Sequence, residues 1–327
     1  MRRILSIILI FLLCIFLRAE ISNAQTKPGW PKLITAGSAT LGSVYYIWFG
    51  GFTKLLYEKM GIPSSVEMTA GPVHNAKLVA SKKLEFGGVT AAIAYEAFHG
   101  TGWTKGEKYQ ELRVILPIYT SYFQMYALNK SGIKSIYDLN GRSVGVAPVG
   151  STPATYYPII FEIAGIKPAR IVNASPSDLN SQVKDGMLDT NGNCIGLPWV
   201  IISEVELTHG INVFGVPGEV ASKFSEKYPS FTLGSIPKGT YKSNKDYDIP
   251  TANVWAFVVT NKYLPEDFIY EVVKRTYENV DILIATHKSA EEVKPQNIVH
   301  SPIPLHPGAI RYYNEIGIKV PDRLIPK

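Results

Sequence analysis

Two loop-to-helix junctions carry the residue types best suited to holding a ligand. Gly37-Ser38-Ala39-Thr40-Leu41-Gly42-Ser43 separates an apolar run from a helical pattern that opens at Val44-Tyr45-Tyr46. Pro148-Val149-Gly150-Ser151-Thr152-Pro153 plays the same part after the run Ser143 to Ala147. A helix start exposes backbone N–H groups with no partner inside the helix, together with the positive end of its dipole. That combination suits a carboxylate or a phosphate. Serine and threonine add hydroxyl donors, and glycine lets a ligand approach the backbone. The same residues more commonly cap their own helices. Two similar junctions in separate parts of the chain place a shared ligand site beside that plainer reading.

A third junction, Gly71-Pro72-Val73-His74-Asn75, offers a donor and an acceptor on Asn75, although spacing alone favours capping there. Tyr45, Tyr46, Tyr156 and Tyr157 stand near the junctions and can wall a pocket with apolar rings and polar tips. With nineteen tyrosines in the chain, some of these must be plain packing.

Catalytic patterns are absent from the sequence. It contains no Gly-x-Ser-x-Gly elbow, no Walker loop and no Gly-x-Gly-x-x-Gly. The six histidines are scattered, with His300 and His306 the closest pair, and no Cys/His cluster has metal-ligand spacing. Cys194 reads as a small buried apolar residue rather than a nucleophile. No catalytic residue, metal or cofactor is assigned.

The elements that position these junctions alternate. Strands are expected at Lys32–Thr35, Val66–Thr69, Phe86–Val89, Val114–Tyr119, Gln124–Leu128, Ser143–Ala147, Arg170–Val172, Thr190–Ile195, Asn212–Phe214 and Val254–Thr260. Helices are expected at Ser43–Met60, Val73–Lys82, Thr152–Ala164, Ser177–Asp185, Val200–Thr208 and from Pro265 to about Ala285. The short stretch Ser135–Arg142 reads as a helical turn, and Phe231–Pro250 as an excursion between lobes with an extended Thr232–Ile236. Alternation of this kind predicts an α/β protein with parallel sheets covered by helices. The chain is long enough for two lobes.

Arg2-Arg3, the apolar run Ile4–Leu17 and Ser22-Asn23-Ala24 make a secretory signal with a cut after Ala24. Arg18 and Glu20 end the run short of a membrane span, and Cys14 sits in a poor context for a lipid anchor. The mature protein is therefore expected in the periplasm. Losing three arginines and one glutamate lowers the formal charge from +6 to +4. The remaining basic residues are scattered, which argues against a nucleic-acid surface. Only Cys194 remains of the two cysteines, so an intramolecular disulfide is excluded.

The C-terminal Pro304-Leu305-His306-Pro307-Gly308-Ala309-Ile310-Arg311-Tyr312-Tyr313, with Gly317, resembles the Leu-His-Pro-Gly-Ala-x-Arg-Tyr-Tyr motif of the TAXI family. These are extracytoplasmic solute-binding proteins of TRAP transporters. Ser131-Gly132-Ile133-Lys134-Ser135 with Asp138-Leu139-Asn140-Gly141, Ser175-Pro176-Ser177 with Lys184-Asp185-Gly186, and Ile236-Pro237-Lys238-Gly239-Thr240-Tyr241 resemble further family segments, in family order. The resemblance implies a type II periplasmic binding protein fold: two α/β lobes, 25–127 with 232–327 and 128–231, and a ligand cleft between them. It implies ligand contacts from Thr40, Gly42, Ser43, Tyr45, Tyr46, Asn75, Gly150, Ser151, Thr152, Gly196 and Pro198. Ser43 replaces a usual glycine, Pro72-Val73-His74 a usual Gly-Ser-x, and Pro153 follows Ser151-Thr152 where Gly-Thr is commoner. These departures point to a narrower pocket. The function implied is that of a non-enzymatic monomeric receptor. It would pass a small-molecule carboxylate such as glutamate or 2-oxoglutarate to the membrane permease subunits of a sodium-coupled TRAP transporter. A binding protein of an ABC importer, a periplasmic sensor and, less favoured, an exported hydrolase are the alternatives.

Overall fold

The computed structural model describes residues 27–327, so the expected signal peptide, residues 1–24, lies outside the described residues. Ten strands form one mixed sheet in the order β2-β1-β3-β10-β4-β7-β5-β6, with β8 added to β4 and β9 to β10. They are β1 (Ile34–Gly37), β2 (Ser64–Glu67), β3 (Phe86–Thr90), β4 (Leu112–Leu128), β5 (Ser143–Val146), β6 (Arg170–Asn173), β7 (Thr190–Ile195), β8 (Ile211–Phe214), β9 (Thr232–Ile236) and β10 (Ile249–Asn261). The helices are α1 (Val44–Met60), α2 (Pro72–Ala80), α3 (Ala91–His99), α4 (Thr152–Ile163), α5 (Pro176–Lys184), α6 (Val200–Val205), α7 (Gly218–Lys227), α8 (Glu266–Glu278), α9 (Val280–Ile284) and α10 (Pro307–Glu315).

The two long strands join the lobes. β4 pairs with β10 along Leu112–Tyr122, then with β7 and β8 along Tyr122–Leu128. β10 pairs with β9 along Ile249–Asn253 and with β3 along Ala256–Thr260. Strands β2-β1-β3 build one lobe, and β7-β5-β6 build the other. Each has its own aromatic core. Trp48, Phe49, Phe52 and Phe86 pack with centroids 5.0 to 5.9 Å apart in the first. Phe123, Tyr156, Phe224 and Phe231 pack at 4.5 to 6.0 Å in the second. Burying such rings contributes roughly 1.5–3 kcal/mol each.

Several expectations are corrected. The two strands expected across Val114–Leu128 are one, because Thr120 and Ser121 continue the ladder to β10. Thr120 offers its N–H and hydroxyl to Glu292 Oε2, at 3.0 and 2.6 Å. Pro117 is tolerated inside this central strand because a bulge falls between the pairs Trp255–Thr120 and Phe257–Pro117. The sheet is not parallel throughout: β10 runs antiparallel to β3, β4 and β9. Phe231–Pro250 is no crossing, since β9 folds back on β10. The helix expected from Pro265 to Ala285 breaks at Asn279. α6 is shorter than expected, and α3 and α7 were not anticipated.

The Leu-His-Pro-Gly segment has a structural task. His306 caps α10, its Nδ1 accepting from the Gly308 N–H at 3.2 Å while Nε2 faces Leu264 O at 3.1 Å. Both contacts are met by the neutral ring with its proton on Nε2. Burial pushes this imidazole down to about 4 from its ordinary 6.5, with Arg113 adding to the effect. The unfolded chain therefore binds more protons between these values, so stability is full above pH 6.5 and falls toward pH 4. The loss from His306 is at most about 3 kcal/mol. Urea titrations of the wild type and His306→Asn at pH 7.5 and 4.5 are expected to show a smaller pH difference in the variant. His287 and His300, also lowered by burial, act in the same direction, and Glu85, Glu96 and Glu292, raised by burial, act in the opposite one.

Candidate functional site

The carboxyl ends of β1, β3, β5 and β7 face the gap between the lobes, where open α/β sheets place their ligands. A cavity of about 30 Å³ lies there. The lobes touch beside it, where Val73 N donates to Gly150 O at 3.0 Å and Thr90 Oγ1 lies 2.9 Å from Thr152 Oγ1. Four helices begin at its wall: α1 at Ser43-Val44, α2 at Gly71-Pro72, α4 at Ser151-Thr152 and α5 at Pro176. Each start contributes about half a positive charge from its dipole. Local chemistry fixes these starts. Ser43 Oγ accepts from Tyr46 N at 3.1 Å, Ser151 Oγ from Ala154 N at 3.3 Å and Ser175 Oγ from Asp178 N at 3.1 Å. The N–H groups of Val44, Tyr45 and Thr152 then have no acceptor within their own helices.

Among the described residues lining the cavity, none is Asp, Glu, Lys, Arg or His. Its polarity comes from Thr40, Ser43, Tyr45, Tyr119, Ser151, Thr152, Asn193 and Cys194. Tyr45 is 7 % exposed, and its hydroxyl has no hydrogen-bond partner. An unpartnered buried hydroxyl costs roughly 1–3 kcal/mol. The Tyr45 ring rests on Tyr119, with centroids 5.6 Å apart, and reaches β3 because Gly88 has no Cβ to meet it. Burial raises the pKa values of Tyr45, Tyr119 and Cys194 and keeps all three neutral. At this end the cleft offers neutral hydrogen-bonding groups, and at the helix starts a positive field. That suits a small anion.

Of the residues expected at the site, Thr40, Ser43, Tyr45, Ser151 and Thr152 line the cavity. Gly42, Tyr46, Asn75, Gly150, Gly196 and Pro198 are not among the lining residues. Gly150 instead closes the lobes, its carbonyl accepting from Val73 N at 3.0 Å. Gly42, at φ +82, passes close to Ser177 Oγ. Asn75 is fully buried behind the wall. Its Nδ2 donates to Ser38 O and Gly88 O at 2.6 and 2.8 Å, and its Oδ1 accepts from Thr69 Oγ1 at 2.7 Å. It shapes the first-lobe loops and has no group left for a ligand. Gly196 lies against the Tyr119 ring, and Pro198 borders a separate surface depression with Lys238–Thr240. The half-exposed Tyr46 contributes its backbone N–H to the α1 cap.

Tyr119, Asn193 and Cys194 line the cavity without having been anticipated. They come from the strands that join and face the lobes, with Cys194 opposite Phe123 in the β4–β7 register. Across the cleft, Thr90 Oγ1 and Thr152 Oγ1 lie 2.9 Å apart, joining the end of β3 to the start of α4.

The fold is that of the type II periplasmic binding proteins. MatC from Rhodopseudomonas palustris with bound malate superposes with a TM-score of 0.57 at 11% identity, over 88% of this chain and 97% of that one. The periplasmic binding protein BugD gives 0.51 at 11% identity, over 89% and 100%. An ABC uptake transporter substrate-binding protein from Streptococcus pneumoniae with bound histidine gives 0.50 at 14%, over 80% and 94%. At such identities the likeness speaks for the fold. The model of the NMT1-like family matches residues 36–317, most of the chain, and the protein belongs to that family.

Proposed function

We propose that the protein is a periplasmic solute receptor of a TAXI-type TRAP transporter. It captures a small carboxylate between the two lobes that β4 and β10 join and delivers it to a sodium-coupled permease. The observation that carries this reading is the cleft itself: four helix N-termini converge on a wall without charged side chains, beside the unpartnered Tyr45 hydroxyl. A carboxylate accepts from those donors, and each charge-assisted bond contributes roughly 1.5–3 kcal/mol. A neutral sugar would leave the field of the helix starts unused. The TAXI-like segments, His306 to Tyr313 above all, support the choice of transporter.

Melting curves with glutamate, 2-oxoglutarate, other small carboxylates and neutral sugars test it. A ligand at 100 times its dissociation constant stabilises by roughly 2.7 kcal/mol, which raises the melting temperature by about 4 °C for a chain of this size. A shift with a carboxylate and none with sugars is expected. A shift with sugars alone would overturn the reading.

A further inference from the structure

We propose that the cleft selects carboxylates that carry no amino group, such as oxo, hydroxy and plain carboxylic acids, and rejects their α-amino counterparts. This rests on the anion reading above and narrows it. An α-amino acid brings an ammonium about two bonds from its carboxylate, and closure buries both charges. A buried ammonium needs a carboxylate or several free acceptors.

The wall supplies no carboxylate, and hydroxyls such as that of Tyr45 can accept a hydrogen bond from an ammonium without balancing its charge. No described residue lining the cavity is Asp or Glu. Asn193 Oδ1 already accepts from Cys194 N at 2.8 Å. Ser43 Oγ and Ser151 Oγ accept from their own helices, and Thr152 Oγ1 pairs with Thr90. The half-buried Glu292 is not among the lining residues; it accepts from Thr120, and partial burial raises its pKa. The Tyr45 and Tyr119 phenols and the Cys194 thiol are held neutral, so none of them becomes a counter-anion. The helix starts repel a cation by the same field that attracts the carboxylate.

An oxo or hydroxyl oxygen at the same carbon asks only for one donor. The Tyr45 hydroxyl, buried and without a partner, is that donor. Replacing the oxygen by ammonium exchanges one satisfied hydrogen bond for an unpaired buried charge. A preference of at least about 100-fold for the amino-free member of a matched pair is expected.

Titration calorimetry of the mature protein at pH 7.5 tests this with three pairs: 2-oxoglutarate and L-glutamate, L-malate and L-aspartate, pyruvate and L-alanine. Glucose serves as the neutral control. Binding of an amino-free acid with its amino partner at least about 100-fold weaker supports the inference. An amino acid binding within tenfold of its partner, or alone, overturns it and leaves the anion reading standing. Glucose binding with no carboxylate bound overturns both. If no member of the panel binds, the small molecule released from the denatured protein decides through an amine-selective reagent. A carboxylate that does not react supports the inference, one that reacts overturns it, and a molecule without a carboxylate overturns both.

Discussion

Tyr45→Phe is expected to make the solute-free protein slightly more stable while weakening solute binding by roughly 10- to 100-fold. The two effects have opposite signs because one hydroxyl causes both. In the protein alone the buried Tyr45 hydroxyl has no partner, so removing it recovers about 1 kcal/mol of desolvation. In the proposed complex the same hydroxyl donates to the solute, and its loss would remove a bond to a charged or strongly polar oxygen worth roughly 1.5–3 kcal/mol. The ring is retained, so its packing on Tyr119 at 5.6 Å is undisturbed. Urea titrations and calorimetry on the same preparations check both halves. A residue used only for packing would leave affinity unchanged, and a residue needed for folding would lower stability.

The second large effect concerns closure. Gly71 has φ +121, and a Cβ added there would lie 3.3 Å from the Ser151 backbone Cα in the opposite lobe. Neither partner is a flexible side chain that can swing aside. Gly71→Ala therefore holds the lobes apart, lengthens the Val73 N–Gly150 O bond and lowers solute affinity by about tenfold or more. The added strain at positive φ also lowers stability, by about 1 kcal/mol or more. Gly165→Ala separates the two contributions. That residue has φ +71 and nothing within 4 Å of the added carbon. It is expected to lose less stability than Gly71→Ala, whose φ +121 and ψ −159 are nearly exclusive to glycine, with affinity unchanged. Equal affinity of Gly71→Ala and wild type would mean that solute is not held in this closed arrangement.

Closure also supplies the energy difference a receptor needs. A solute shifts a conformational equilibrium only as far as it binds one state better. Here Tyr45 and the α1 start come from one lobe, and the α4 and α5 starts from the other. On the proposed function, a solute touching all of them has its full set of bonds only when the lobes meet, and β4 and β10, the strands that join the lobes, are where a hinge is expected.

How far the sequence foretold this can be judged residue by residue. Ser43, Ser151 and Ser175 were legible because capping is local: the acceptor sits three residues from its donor. At Asn75 spacing alone favoured capping, and the ligand role came from the family resemblance; the structure buries the side chain behind the wall. Its partners, Ser38 and Gly88, are 37 and 13 residues distant, and no local pattern announces them. Thr120 and Ser121 interrupt an apolar run and suggested two strands. The group that makes Thr120 acceptable there, Glu292, is 172 residues away. Tyr119 and Cys194 belong to buried strands, and their apolar setting concealed that one edge meets the cleft. The antiparallel course of β10 was hidden as well, since side-chain alternation is the same in either direction. Helix α3 escaped because Thr90 ends β3 and caps the helix at once, leaving no loop residues between them.

The most direct test of the central claim is to lock the cleft. Thr90 and Thr152 face each other with 2.9 Å between hydroxyls, a spacing from which paired cysteines can form a disulfide without large backbone movement. Stopped-flow binding of the identified carboxylate is measured on Thr90→Cys/Thr152→Cys, oxidised and reduced. The account predicts uptake by the reduced protein and at least about a hundredfold slower uptake by the oxidised protein, since a solute that touches both lobes enters when they part and the disulfide holds them together. Equal uptake rates in the two forms, with the disulfide shown to be intact, would contradict it.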